Sequence, residues 1–237
     1  MKNEITINNR KIGAGHPVYI VAEISANHNQ DKQQAIKLIE AAKEAGADAV
    51  KAQTYTPDTI TIDCDNEYFR IRKGTLWEGK TLYELYKEAY MPWEWQNDLK
   101  ARAKELELDF FSTPFDMTAV EFLLGFDVPA FKIASFEIVD LPLIRTIART
   151  GRPIILSTGM ASLSEIKEAL KAIEEEEGDE VVLLKCTSAY PAPASEMNLR
   201  TIPDLIERFG VPVGLSDHTM GIVAPVIAVT LGACVIE

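Results

Sequence analysis

One unit recurs along this 237-residue chain: an amphipathic segment, a glycine, a short apolar run and then a polar cluster. For example, DKQQAIKLIEAAKEAG runs into ADAVKAQTY, and SLSEIKEALKAIEEEEG runs into DEVVLLKCTSAY. The apolar residues of the first half recur at helical spacing, and the glycine that follows them predicts a left-handed helix end. The second half has roughly five consecutive apolar residues, which is typical of a strand buried on both faces.

Six such units, with the runs VYIVAEIS and DFFSTPF, predict eight strands. Helices and strands that alternate over short links indicate an α/β fold with a parallel sheet. Eight βα units in this length favour a (β/α)8 TIM barrel over an open doubly wound sheet, and AEISANHNQ lacks the GxGxxG turn of a Rossmann fold. We therefore predict one TIM-barrel domain over residues 1–237.

Three segments depart from the repeat. EITINNRKIG predicts an N-terminal β-hairpin that plugs the N-terminal end of the barrel. Residues 56–95 are too long for a βα loop and rich in aromatics, which predicts a functional lid with a short helix. The last run, LGACVIE, predicts the eighth strand, with the barrel truncated after it and its C-terminal helix absent. We expect that absence to expose apolar strand surface and to favour association.

Composition restricts the class of protein. A net charge of −12 argues against nucleic-acid or anionic-membrane binding, so an anionic ligand would need a local cluster of cations. Three cysteines without CxxC spacing predict reduced thiols and a cytoplasmic location. The longest apolar stretch is interrupted by Pro225, Thr230 and Gly232 and is shorter than the roughly 20 residues of a membrane span.

In TIM barrels the functional residues lie at the C-terminal ends of the strands, where each apolar run turns polar. In chain order these residues are Glu23, Ser25, Lys51, Gln53, Ser112, Thr113, Lys132, Ser135, Ser157, Thr158, Gly159, Lys185, Thr187, Ser216, Asp217, His218 and Glu237.

The lysines in strands two, four and six, Lys51, Lys132 and Lys185, are the most informative of these residues. A single lysine there could simply extend to solvent, but even-numbered strands contribute to one layer of the barrel interior. Each lysine also precedes a small hydroxylic or amide residue, and STGM forms a glycine turn. Converging lysines and hydroxyls predict a pocket for phosphate, or for phosphate with a carboxylate.

The sequence SDHT places His218 beside Asp217 at a strand end. His218 is a candidate metal ligand or acid–base group, and a structural hydrogen-bonding role is an equal alternative. The strand-end carboxylates of Glu23 and Glu237 favour a divalent ion there. His28 either lies at the mouth of the first loop or is a solvated residue before the helix.

Seven strand-end motifs carry a family resemblance: AEISANHN, KAQTY, FFSTPFD, FKIASFEI, ILSTGMA, LLKCTSAYPAP and GLSDHTMG. In this order they resemble those of the sialic acid synthases, which condense phosphoenolpyruvate with an N-acetylated amino sugar. The resemblance spans nearly the whole chain. Within the family, GTLWEGKTLYELYKEAYMPWEW is most similar to the pseudaminic acid synthases, whose acceptor is 2,4-diacetamido-2,4,6-trideoxy-L-altrose.

The resemblance implies roles for individual residues. Lys51, Lys132, Ser157 and Ser216, with Thr113 and Ser135, would hold the phosphate and carboxylate of phosphoenolpyruvate, and Gln53, Lys185 and Thr187 join this substrate-binding set. Glu23 and Glu137 would be the catalytic carboxylates, and Tyr190 would lie against the sugar. A divalent metal, Mn²⁺ with Mg²⁺ or Co²⁺ as substitutes, would polarise the sugar aldehyde with His218 as a ligand.

The family also has parts that are not found after Glu237. Its last strand continues into a Lys-His-Phe segment with a second metal-binding histidine, followed by the final barrel helix and a small antifreeze-like domain. That domain contributes an arginine across a dimer, so we expect a homodimer at full length. We expect residues 1–237 alone to have little activity and weak metal affinity.

Three alternatives stay open. The acceptor could be that of an N-acetylneuraminate or legionaminate synthase. A class I aldolase could use Lys185 as its Schiff-base nucleophile, because apolar surroundings lower the pKa of a lysine. The chain could also be an inactive, binding-only fragment.

Overall fold

The computed structural model describes residues 1–72 and 77–237 and begins with two antiparallel strands, β1 (Glu4–Ile7) and β2 (Arg10–Gly13). Asn8 and Asn9 connect them with φ angles of 45° and 67°. Two left-handed residues in succession form the two-residue turn that matches the twist of paired strands, and asparagine tolerates this conformation. The predicted N-terminal hairpin is confirmed.

Eight parallel strands close into a barrel, as the repeat predicts. They are β3 (Tyr19–Glu23), β4 (Ala49–Thr54), β5 (Asp109–Pro114), β6 (Phe131–Ile133), β7 (Ile154–Ser157), β8 (Val181–Cys186), β9 (Val213–Ser216) and β10 (Val235–Ile236). Each strand pairs with the next along the chain, and β10 closes the barrel by pairing Val235 with Tyr19 of β3. LGACVIE therefore contains the eighth barrel strand.

The hairpin covers the N-terminal ends of these strands. Arg10 pairs with Asp48 just before β4 and donates to the Val18 carbonyl oxygen, at 3.0 Å, just before β3. The Asn8 amide donates to the Asp109 carboxylate at the start of β5, at 2.6 Å. The isoleucines of the hairpin are completely buried and belong to the main hydrophobic core. With this end closed, the opposite end remains for a ligand.

Helices alternate with the barrel strands in the described part of the chain. They are α1 (Lys32–Glu44), α2 (Pro57–Ile60), α3 (Leu82–Ala89), α4 (Gln96–Glu105), α5 (Met117–Gly125), α6 (Leu141–Ala148), α7 (Leu163–Glu174), α8 (Thr201–Phe209) and α9 (Val223–Thr230). The predicted capping box before α7 is present: Ser162 accepts from the Glu165 N–H, and the Glu165 side chain accepts from the Ser162 N–H. None of these helices is long and apolar enough to cross a membrane.

The prediction of a left-handed glycine after each helix is wrong for two units. After α5, the left-handed residue is Asp127 (φ 51°) and not Gly125, and after α7 it is Glu177 (φ 62°) and not Gly178. Gly178 is instead needed for packing, because a Cβ there would lie 2.6 Å from Cγ2 of Ile173. A glycine at a helix end therefore reflects either backbone conformation or close approach.

The long segment over residues 56–95 contains the short helix α2 and the predicted lid helix α3. A capping box between Thr81 and Glu84 starts α3, and Thr81 also forms a β-bridge with Arg70. Residues 74–76, with which the motif GTLWEGKTLYELYKEAYMPWEW begins, lie outside the described residues.

Exposed apolar surface occurs on a barrel strand, as expected, where Ile20 of β3 is 37% exposed, and it is more extensive on α9 and the turn before it. Met220, Val223, Val226 and Ile227 are 86%, 67%, 58% and 43% exposed. Most residues of the other barrel strands are buried, so the larger part of the uncovered apolar surface lies in the outer layer of helices.

The seam between β9 and β10 is packed so closely that it accepts only glycine. A Cβ on Gly214 would lie 2.5 Å from the Val235 carbonyl oxygen and 2.7 Å from Cδ2 of Leu184. We expect Gly214→Ala to lower the free energy of unfolding by about 1–3 kcal/mol through overpacking. Gly125→Ala is the control, because a Cβ there meets no atom within 4 Å. Equal stability of the two variants in urea unfolding would contradict this account of the seam.

Candidate active site

Polar side chains gather at the C-terminal ends of the barrel strands, in an otherwise apolar interior. The buried members are Lys51, Thr113, Lys132, Ser157, Lys185 and Ser216. The register places Glu23 beside Lys51, Gln53 beside Thr113, and Cys186 beside Ser216. Buried lysines require partners, and these partners define the site.

Lys51 lies between two carboxylates. Its ammonium group contacts Oε2 of Glu23 and lies 3.5 Å from Oε1 of Glu237 and 3.4 Å from Oγ1 of Thr113. The other Glu23 oxygen accepts the N–H of Ser25 at 2.7 Å, with Ser25 left-handed at φ 33°. Burial lowers the pKa of Lys51 to about 8, although the charge of Glu237 opposes this shift.

Lys132 binds on the other side of Glu237. Its ammonium group donates to Oγ of Ser157 at 2.6 Å and to the Ile133 carbonyl at 3.1 Å, and lies 3.7 Å from Oε2 of Glu237. Burial would raise the pKa of Glu237, but the charges of Lys132 and Lys51 and a hydrogen bond with Ser216 outweigh it and lower that pKa. Glu237 is therefore an ionised carboxylate bridging two lysines. The sequence analysis placed Glu237 at a strand end and took it, with Glu23, as support for a divalent ion. The structure pairs both carboxylates with lysines, which the sequence does not show because contacts between distant strands are not visible in it.

Lys185 differs from the other two lysines. Its ammonium group donates to Oγ1 of Thr187 at 2.5 Å, and no carboxylate of the described residues forms an ion pair with it. Burial lowers its pKa. A buried cation without a counter-ion is costly in a folded protein, and this cost is offset when an anion binds. Lys185 is therefore the clearest anchor for an anionic ligand.

A close-packed turn lies next to these lysines. The N–H of Gly159 donates to Oγ of Ser135 at 3.2 Å, and a Cβ at Gly159 would come within 2.7 Å of Ser135 Oγ and 2.6 Å of Ser188 Oγ. Backbone and hydroxyl groups so arranged suit the oxygens of a phosphate. Sequence reasoning missed Ser188, although CTSAY contains it, because nothing in the sequence places it against the STGM turn.

Glu137 lies in the short 3₁₀ turn Phe136–Val139 after β6. Burial raises its pKa, which is lowered in part by the charge of Lys132. Its Oε2 atom is buried without a hydrogen-bond partner in the described part of the chain. A carboxyl group with these properties retains a proton to higher pH than usual and can serve as a general acid.

His218 and Tyr190 form the remaining part of the rim. Their ring centroids lie 4.3 Å apart, and Tyr190 is 80% exposed. Nδ1 of His218 is buried without a partner, and burial lowers the pKa of the imidazole, which favours the neutral form that binds metals. The neighbouring Asp217 carboxylate accepts the Thr219 N–H at 3.0 Å.

His218 fits one position of a metal site, but residues 1–72 and 77–237 contain no group of three or more His, Cys, Asp or Glu that could hold an ion.

His28 is completely buried: its ring lies edge-on to Trp95 and its Nδ1 accepts the Gln30 N–H at 3.1 Å. The alternative that His28 is a solvated residue before the helix is wrong, because the first loop folds inward over it.

Comparison with known proteins agrees with this geometry. The NeuB family model matches residues 38–237. The pseudaminic acid synthase of Campylobacter jejuni is 49% identical over 220 residues, which cover 93% of this chain and 64% of that protein. The N,N'-diacetyllegionaminic acid synthase of Legionella pneumophila is 40% identical, over 97% of this chain and 67% of that protein.

A solved structure extends the comparison to the fold. The crystal structure of N-acetylneuraminic acid synthetase from Leptospira borgpetersenii, in complex with citrate, matches with a TM-score of 0.88 and 34% identity, over 100% of this chain and 78% of that one. This chain spans 64% of the length of the Campylobacter jejuni synthase, which is slightly less than two thirds. With the family model matched from the first helix to the last strand, the chain belongs to the NeuB family, which includes the pseudaminic, legionaminic and sialic acid synthases.

Proposed function

We propose that the protein is a pseudaminic acid synthase, a transferase that condenses phosphoenolpyruvate with 2,4-diacetamido-2,4,6-trideoxy-L-altrose and releases phosphate by C–O cleavage. The observation that carries this proposal is the buried group of three lysines, of which Lys185 has no carboxylate partner in the described part of the chain. Phosphoenolpyruvate has a phosphate and a carboxylate, so it supplies the missing negative charge. The 49% identity to a pseudaminic acid synthase supports this acceptor.

The residues suggest a division of labour. Lys132, Lys185 and the hydroxyls of the Gly159 turn hold the phosphate and carboxylate, and C3 of phosphoenolpyruvate attacks the open-chain aldehyde carbon. Glu137, which keeps its proton to higher pH, protonates the aldehyde oxygen as it becomes a hydroxyl. Water adds at C2 and gives its proton to the Glu23 carboxylate, and the tetrahedral intermediate then expels phosphate. Tyr190 packs against the sugar.

A divalent metal belongs to this proposal. His218 would be one ligand of Mn²⁺, with Mg²⁺ or Co²⁺ as substitutes, because its Nδ1 is buried without a partner. The ion would supply a Lewis acid for the aldehyde oxygen. Equilibrium dialysis with Mn²⁺ should show weaker binding by His218→Ala than by His16→Ala, since His16 lies far away beside Glu4.

The test of function measures phosphate release with phosphoenolpyruvate, Mn²⁺ and each of three acceptors. The diacetamido-altrose should be the best substrate, ahead of the legionaminate precursor and N-acetylmannosamine. A preference for either of the other two would replace the proposed acceptor by that of a legionaminate or N-acetylneuraminate synthase.

The protein at its full natural length and residues 1–237 alone are assayed side by side. Activity only at full length would identify residues 1–237 as a binding-only part.

A class I aldolase is the second candidate, because the lowered pKa of Lys185 is what a Schiff-base lysine needs. Borohydride trapping with pyruvate distinguishes the two functions. A stable adduct on Lys185 would support the aldolase and overturn the synthase, whereas the synthase predicts no adduct.

The charge of Lys185 can be tested separately. We expect Lys185→Met to weaken phosphoenolpyruvate binding roughly tenfold or more, because a charge-assisted hydrogen bond is lost.

The same change should raise Tm at pH 7, since burial disfavours the charged form of the lysine. That gain should shrink as pH rises towards the ordinary pKa of lysine, where the unfolded chain also loses its charge. Lys167→Met, at an exposed position of α7, removes the same charge and should change neither quantity. Unchanged binding in calorimetry would remove Lys185 from the phosphate site.

Assembly and location complete the proposal. We propose a homodimer at full length, supported by the exposed apolar side chains of α9 and checked by sedimentation. We propose a cytoplasmic location, supported by the three free cysteines.

A further inference from the structure

The turn before helix α4 is fixed to two loops of the barrel rim by its tryptophans. The Trp93 indole N–H donates to the carbonyl oxygen of Tyr55, directly after β4, at 3.0 Å. The Trp95 ring lies edge-on to His28 in the loop after β3, with 5.5 Å between the ring centroids. The start of α4 is therefore held against the C-terminal ends of two neighbouring strands.

Gln96, the first residue of α4, belongs to a buried polar cluster with Thr54 of β4 and Ser112 of β5. Its side-chain N–H donates to Oγ1 of Thr54 at 2.9 Å, and this oxygen lies 2.7 Å from Oγ of Ser112. All three residues are completely buried. Thr54 is the centre of the cluster, because its hydroxyl bonds to both of the other side chains.

The cluster lies directly behind the candidate site. Thr54 and Ser112 face α4, and successive side chains of a strand point to opposite faces. Their neighbours Gln53 and Thr113 therefore face the barrel interior, where the register pairs them. Oγ1 of Thr113 lies 3.4 Å from the Lys51 ammonium group. A shift of either strand end would move side chains that line the site.

Burial alone does not require hydroxyl and amide groups at these three positions. Apolar side chains of the same shape can replace a hydrogen-bonded group at little cost in stability. Hydrogen bonds differ from apolar contacts in that they restrict both distance and angle, and a fully satisfied buried network makes its surroundings rigid. The cluster therefore indicates that the geometry of these two strand ends is fixed, beyond what packing requires.

We propose that Thr54 is a positioning residue: its hydrogen bonds fix the ends of β4 and β5, and these ends carry the proposed substrate-binding residues Gln53 and Thr113. The inference rests on the proposed function, in which those two side chains belong to the substrate-binding set. Thr54 lies on the outer face of the barrel and does not contact substrate itself. It acts on the reaction through its neighbours in the two strands.

The experiment compares Thr54→Val, which has nearly the same shape but no hydroxyl, with Thr54→Ser, which keeps the hydroxyl. For Thr54→Val we expect kcat/KM for phosphoenolpyruvate to fall about 10-fold or more, because misplacing a substrate-positioning group by about 1 Å can cost on the order of 10²-fold. Thr54→Ser should keep most of the wild-type value. An unchanged value in Thr54→Val, or an equal loss in Thr54→Ser, would overturn the proposal.

Tyr19→Phe is the control for stability. It removes a buried hydrogen bond at the opposite end of β5, from the Tyr19 hydroxyl to Oδ2 of Asp109 at 2.6 Å. It should lower the midpoint of urea unfolding and leave kcat/KM unchanged. The same loss of kcat/KM in Tyr19→Phe would make the effect of Thr54→Val a general consequence of lower stability and overturn the proposal.

The triple variant Gln96→Met/Thr54→Val/Ser112→Ala separates positioning from stability in a second way. All three polar groups are removed together and none is left unpaired, so most of the stability lost in Thr54→Val should return. The value of kcat/KM should stay low, because apolar contacts do not restrict the strand ends in the same way. Recovery of kcat/KM together with stability would assign the cluster a structural role only.

Amide hydrogen exchange tests the inference without substrate. In Thr54→Val, the N–H groups of Gln53 and Thr113 should exchange about 10-fold faster than in the wild type, because local opening of the strand ends becomes easier. The N–H groups of Val50 and Phe110, near the starts of the same strands, provide the internal reference. If the wild type releases phosphate with none of the acceptors, the proposed function fails, and exchange decides the role of Thr54 alone. Faster exchange confined to the strand ends supports the inference, and unchanged or uniformly faster exchange overturns it.

Discussion

Replacing Lys132 with alanine should reduce kcat/KM for phosphoenolpyruvate by about 10²-fold or more, because truncating one partner of a buried charged pair costs about 2–5 kcal/mol. It should also lower the free energy of unfolding by about 3–5 kcal/mol, since it leaves a buried carboxylate with less compensation. That carboxylate is Glu237, whose Oε2 lies 3.7 Å from the Lys132 ammonium group. Steady-state kinetics and urea unfolding measure the two effects.

The double variant Lys132→Ala/Glu237→Gln separates stability from binding. Removing the carboxylate removes the uncompensated charge, so stability should largely return while kcat/KM stays low. Lys171→Ala provides the surface control: Lys171 pairs with Glu175 at 3.6 Å, but both are exposed, so a loss of about 0–0.5 kcal/mol is expected. If kcat/KM recovered with stability in the double variant, Lys132 would be a structural residue and not a substrate anchor.

Replacing Glu137 with glutamine should lower kcat by about 10²–10⁴-fold, the usual contribution of a general acid. In contrast to Lys132→Ala, this change should raise Tm at pH 7. The raised pKa means that the folded state holds the proton more tightly than the unfolded chain, so stability falls as pH rises through that pKa. Glutamine keeps the shape and removes the cost of burying the charge.

The pH dependence provides the distinguishing measurement. In the wild type, kcat/KM should fall as pH rises through the raised pKa of Glu137, and this limb should be absent in Glu137→Gln. Glu121→Gln, on the exposed face of α5, loses the same charge and should leave both activity and Tm unchanged. A Glu137→Gln enzyme that kept its activity and its basic limb would assign the proton to another group.

The repeat made the barrel predictable because both of its halves are local signals. Helical spacing and uninterrupted apolar runs depend on near neighbours, and so does the Asn8–Asn9 turn. Residues at strand ends were also predictable, since parallel strands in a barrel all point their C-terminal ends to one face. Lys51, Lys132 and Lys185 could be proposed as one cluster for this reason alone.

The pairing within that cluster was not predictable. Glu237 is 186 positions from Lys51 along the chain, and only closure of the barrel brings the two side chains to 3.5 Å. The sequence likewise does not distinguish Lys185 from the other two lysines, because the absence of a carboxylate partner depends on the geometry of the rim. The solvated alternative for His28 is wrong for a related reason: the sequence does not show that the first loop folds this ring against Trp95.

The sequence by itself therefore determined the fold class, the end of the barrel that carries the site and the residue types found there, because these follow from periodicity and chain direction. Only the tertiary structure decided which charges neutralise one another and which polar atoms of Glu137 and His218 remain unpartnered. Electrostatic and hydrogen-bonding partners depend on distances of a few ångströms between segments far apart in the chain, and those distances exist only once the barrel has closed.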